Sequence, residues 1–101
     1  MANRDDLHEI LVNLLGSRYV YYQPPSNITM NYPAIVYSKS DVSSRYANDS
    51  AYSIKHKYQI IVIDRDPDNI VIDKLMGLPY SSYDRHYTSD NLHHDVLTLY
   101  F

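Results

Sequence analysis

The chain contains no cysteine, no tryptophan, one phenylalanine and two glycines among 101 residues. Without cysteine there can be no disulfide, no thiol nucleophile and no cysteine-held zinc. Two glycines cannot supply a phosphate-cradling loop, a dinucleotide fingerprint or the elbow that presents a catalytic serine. Both have a local explanation, because Gly16 and Gly77 each follow an apolar segment of helical period and read as helix stops. Long apolar runs are missing as well, and none approaches the length of a membrane span. The absence of cysteine fits synthesis in the cytosol, and the segment from Met1 to Asp6 lacks the basic and apolar regions of a signal peptide.

Positive charge is also scarce. The net charge is −3 and the pI about 5.9, whereas proteins that grip phosphates carry a basic face. The one basic cluster is Lys55-His56-Lys57. Strand alternation would place both lysines on one side, so it reads as a solvated face. What the chain has in excess is tyrosine, twelve in all. A tyrosine buries a large ring and keeps a polar tip, which suits both strands and protein interfaces.

Apolar residues make up 45% of the sequence and charged residues 21%, which is enough core for one domain spanning 1–101. Leu7, Ile10, Leu11, Leu14 and Leu15 form one helical stripe, predicting a helix over about 4–15 with Asn3 as cap. Strands are expected at 18–23, at 34–37 after Pro33, and at 52–64. Residues 38–51 are polar and lack clear periodicity, so they read as a long loop or an extended hairpin arm. Asp66-Pro67-Asp68 reads as the start of a second helix that Gly77 closes. The last part is a hairpin about Asp90-Asn91, residues that tolerate left-handed backbone. The order α-β-β-β-α-β-β predicts an α+β fold, an antiparallel or mixed sheet with two helices on one face. The expected core is Leu7, Ile10, Leu11, Leu14, Ile35, Ile60, Val62, Val71 and Leu75.

Candidate chemistry is confined to the histidines. A two-residue turn at Asp90-Asn91 pairs Ser89 with Leu92, Thr88 with His93 and His86 with Asp95. His86, His93 and Asp95 then share a face. Two imidazoles and a carboxylate could hold zinc or support a metal-dependent hydrolase. The plainer reading is a cross-strand His-Asp pair with a second histidine, His94 lying next in sequence. No HxH or HExxH motif is present, so the expectation is no metal, no cofactor and no catalysis. The carboxylates of Asp64-Arg65-Asp66-Pro67-Asp68 read as helix capping in solvent rather than as a calcium or acid-base site.

The element order and local phrasing resemble the small tail terminator, or tail completion, proteins of long-tailed siphophages. The similar features are the N-terminal helix, the strand Tyr32-Pro33-Ala34-Ile35-Val36-Tyr37 and the polar arm. So are the strand Tyr58-Gln59-Ile60-Ile61-Val62-Ile63-Asp64 leading into Asp66-Pro67-Asp68, and the ending from Asp84-Arg85-His86-Tyr87 to Leu97-Thr98-Leu99-Tyr100-Phe101. The resemblance implies a structural virion protein rather than an enzyme. Copies would form a ring, commonly a hexamer, at the head-proximal end of the tail. That ring would stop tube polymerisation and join the tail tube protein to the head connector or stopper protein. DNA would pass through the lumen without specific binding, and assembly would take place in the host cytoplasm, away from any membrane. An adaptor or stopper, or a monomeric protein-binding module, are the competing readings. If the arm lies between subunits, Arg45, Tyr46, Asp49 and Tyr52 are its expected interface residues, the tyrosines as anchors and the charges for register.

Overall fold

A computed structural model describes residues 4–24, 29–47 and 50–101, with side chains described outside 41–55. Its elements are α1 (Arg4–Leu15), β1 (Val20–Tyr22), β2 (Ala34–Ala47), β3 (Ser50–Asp64), α2 (Val71–Met76), β4 (Ser81–Ser89) and β5 (Leu92–Tyr100). The class is α+β in the expected order. One five-stranded sheet, β1-β2-β3-β5-β4, pairs β1 parallel with β2 and is antiparallel elsewhere.

The apolar stripe of α1 lies against the sheet, with Leu7 and Leu11 fully buried. The helix ends at Gly16, whose φ of +81° is left-handed backbone and whose N–H donates to the Val12 carbonyl at 2.9 Å. No atom lies within 4 Å of where a Cβ would sit, so backbone conformation, not space, favours glycine there. The expected cap, Asn3, lies outside the described residues. Leu14 packs at the margin of the core. Ile10 departs from expectation: it is half-buried and lines the wall of an apolar cleft with Leu78, Tyr80 and Leu99. The stripe is wider than the contact a short helix makes with a sheet, so a flanking position stays partly open.

Strand register explains the core. Val20, Ile35 and Val62 occupy one row across β1, β2 and β3, and Tyr37, Ile60 and Leu97 the next across β2, β3 and β5. With Tyr58 and Leu99 they form a single cluster with Leu7 and Leu11 of α1 and Val71 and Leu75 of α2, so both helices cover one face.

The second helix begins later than its sequence suggests. Asp66 does not cap it. The Asp66 carboxylate accepts the Asp68 N–H at 2.9 Å in a separate turn. The capping role falls to Asn69, whose Oδ1 accepts the Val71 N–H at 2.8 Å while its Nδ2 donates to Asp64 at 2.6 Å. At the other end Gly77 keeps right-handed backbone, and the Ser81 hydroxyl satisfies the Leu78 carbonyl at 2.8 Å.

Candidate interaction surface

The sheet is not equally deep along its length. β1 stops at Tyr22, paired with Tyr37, and β5 stops at Tyr100, paired with Lys57. From there, apart from the Phe101 N–H that donates to the His56 carbonyl at 2.9 Å, β2 and β3 continue alone, paired from Asp41–Lys57 out to Ala47–Ser50. The polar arm is therefore a two-stranded ribbon, the hairpin alternative rather than the loop, and it contributes to a long axis of 51 Å. A bulge marks its root: Ser40 has no partner in the ladder, and its hydroxyl donates to the Lys57 carbonyl at 3.1 Å. A second bulge, at Tyr52, lies near the tip. Bulges add twist and bend a ribbon out of the plane of its sheet.

Tyrosines wall off the core at this root. Tyr22 lies 4.9 Å from Tyr37 between ring centroids, and Tyr37 6.0 Å from Tyr58. The Tyr37 hydroxyl is 2.7 Å from His8 Nδ1, and the Arg4 guanidinium sits 4.3 Å over the Tyr22 ring. Burial raises the pKa of Tyr37, with Arg4 working against it, and burial likewise raises that of Tyr58. The sequence reading missed both rings as core. The available signal was their alternation with Ile35, Ile60 and Val62 on the strand faces that it did assign.

Of the expected interface residues, Arg45 and Tyr46 belong to β2 and Tyr52 to β3, all within the ribbon. Their side chains, and Asp49 altogether, lie outside the described residues. The ribbon's charge is readable from the sequence. Residues 41–57 hold three of the nine Lys and Arg but two of the twelve Asp and Glu. The ribbon is thus net positive on a body that is net negative.

At the opposite end, the β4–β5 hairpin has the expected register, Ser89 with Leu92, Thr88 with His93 and His86 with Asp95. Asp90 and Asn91, at φ +53° and +63°, form the turn. The structure joins only two members of the histidine-aspartate trio. His86 Nε2 and His93 Nδ1 are 3.1 Å apart in rings tilted by 24° with centroids 5.3 Å apart. That centroid distance is close to the nitrogen gap plus two ring radii, so the nitrogens point at one another. One imidazole donates and the other accepts, and the lone pairs do not converge on a common ligand position. Asp95 is engaged elsewhere: Tyr83 donates its hydroxyl to it at 2.6 Å. A bulge at Asp84, whose carboxylate accepts the Thr98 hydroxyl at 2.6 Å, makes this possible. The extra residue turns Tyr83 onto the face of Asp95. The bond to Asp95, followed by burial, pushes the Tyr83 pKa up to about 12. Among the described residues, no group of three or more His, Asp or Glu gathers as metal ligands.

The sheet's outermost strand is β4, which is exposed throughout from Ser82 to Ser89. On the opposite side, β2 carries β1 only beside residues 35–37, and the Gln23 side chain accepts the Lys39 N–H at 3.3 Å. No protein-family model matches the chain, and no curated protein is similar to it in sequence.

Proposed function

We propose that this chain is a structural assembly protein that works as a ring of copies, in the manner of a siphophage tail terminator. The observation that carries the reading is the ribbon. A two-stranded hairpin is marginally stable alone in water, and this one extends far beyond the helices and strands that could bury it. Such a ribbon gains from a neighbour's surface, and a ring supplies one to every copy. Exposed tyrosines, among them Tyr83, Tyr87 and Tyr100, add rings suited to interfaces. The net negative body suits a lumen through which DNA slides by like-charge repulsion. The tail tube and the head connector are the partners this reading implies.

Electron microscopy of tails assembled with and without the protein tests it. The expected result is a ring at the head-proximal end when the protein is present and tails of uncontrolled length when it is absent. Tails of normal length that still join heads without it would refute the proposal.

A further inference from the structure

The β4 edge and the ribbon are complementary in three respects, and we infer that the outer edge of β4 in one copy takes up the ribbon strand β2 of a second copy. The first respect is backbone. In a two-residue hairpin the residues flanking the turn form a hydrogen-bonded pair, and the pairs then alternate. Ser89–Leu92 is such a pair and so is Tyr87–His94, whereas Thr88–His93 and His86–Asp95 are not. The N–H and C=O groups of Thr88 and His86 consequently face away from β5, toward open solvent. A row of such groups is a template for another strand. The Asp84 bulge confines the regular part of this template to Arg85–Ser89.

The second respect is direction. Along β2-β3-β5-β4 each neighbour is antiparallel to the last, so β4 runs opposite to β2. A second copy with the same face outward, shifted along the strand direction until its ribbon reaches Arg85–Ser89, brings its β2 antiparallel to β4. The outer side of β2 beyond Lys39 has no strand of its own chain to occupy it. The third respect is charge. The ribbon is net positive and the body that holds β4 net negative, so ribbon meets body favourably. The rival arrangement, β4 against β4 across a two-fold axis, would bring two negative bodies together. Edge-to-ribbon contact is head-to-tail, which closes into a ring if the rotation allows and otherwise extends.

This inference rests on the ring reading only in taking a second copy as the partner, and proline placement tests it separately. Thr88→Pro removes an outward N–H and spares the ladder to β5, whereas Tyr87→Pro removes an inward one. Mass in solution is measured across concentration for the wild type, Thr88→Pro, Thr88→Ala and a ribbon-less form in which an Asn-Gly turn replaces residues 42–56. Circular dichroism checks that each variant is folded. The wild type and Thr88→Ala should associate alike. Thr88→Pro should remain folded, with its half-association concentration raised at least about tenfold, the factor for roughly 1.4 kcal/mol. The ribbon-less form should be monomeric.

The deciding sample is a mixture. Thr88→Pro retains a ribbon and the ribbon-less form retains an edge, so one-to-one mixing should give a two-chain complex that grows no further. A ribbon-less form that dimerises by itself would establish the two-fold β4 contact and overturn the inference. So would a wild type that stays monomeric at its highest attainable concentration, or a Thr88→Pro protein that associates normally. If Thr88→Pro fails to fold, His86→Pro is measured in its place. Rings that survive the proline would leave the ring reading standing and remove only this contact, because tail length is scored independently.

Discussion

The helix-covered body and the ribbon are built from the same two strands, yet they are held together by different means. Ile35, Tyr37, Tyr58, Ile60 and Val62 lie beneath α1 and α2 and are almost wholly buried. A few residues further along β2 and β3 the ladder continues without helices or flanking strands. Hydrogen bonding is common to both regions, and the apolar burial among the described residues lies in the body. Since burial contributes most of the stability of a small domain, the body should fold alone and the ribbon should add little until something covers it.

That contrast is most easily broken in the core. Leu11→Ala should cost about 2–5 kcal/mol by urea denaturation, the range for deleting a buried leucine side chain. A loss below about 0.5 kcal/mol would mean that α1 does not pack on the sheet. Smaller, though still confined to the body, is the effect of Tyr37→Phe. It keeps the ring and removes the hydroxyl beside His8, so roughly 1 kcal/mol should be lost. No loss would show that the 2.7 Å contact does not stabilise the protein.

Alkaline pH should sharpen the same comparison. Tyr37, Tyr58 and Tyr83 all have raised pKa values in the folded chain. The unfolded chain therefore releases these protons first, around the ordinary tyrosine value of 10.0. Their contribution is complete below that pH and is lost as pH rises through the folded values, about 12 for Tyr83. Tyr83 is 43% exposed, so its share is the smaller. Denaturation midpoints should fall above pH 10, and less steeply in Tyr37→Phe. A flat profile would remove the buried tyrosines as its cause, and one that Tyr37→Phe leaves unchanged would remove Tyr37.

The smallest effect belongs to the ribbon. Replacing residues 42–56 by an Asn-Gly turn joins Asp41 to Lys57, its own ladder partner, and should change monomer stability by less than about 0.5 kcal/mol. A loss of several kcal/mol would show that the ribbon belongs to the body's cooperative unit and is not a separate arm.

The sequence by itself determined whatever depends on neighbours in the chain. The α1 stripe, its stop at Gly16, the element order and the hairpin register about Asp90-Asn91 all follow from periodicity and turn chemistry, which act over a few residues. The start of α2 sat at the limit of such reasoning. Asp66 and Asn69 are both good capping residues, and the choice went to Asn69 because Asp64, at the end of β3, accepts from its amide.

Tertiary structure alone decided which tyrosines are buried, because the rings of Tyr37 and Tyr58 are enclosed only once α1 lies across the sheet. It also engaged Asp95 with Tyr83 rather than with the two histidines, through a one-residue bulge that carries Tyr83 onto the face of Asp95. The same holds for the polar arm. Nothing local distinguishes a loop from a ribbon in residues 38–51, and the strand ladder that forms there grows outward from pairing already fixed in the core, Ile35 with Val62 and Tyr37 with Ile60. Register passes along paired strands, so a buried patch can impose structure on a polar segment whose own sequence does not specify it.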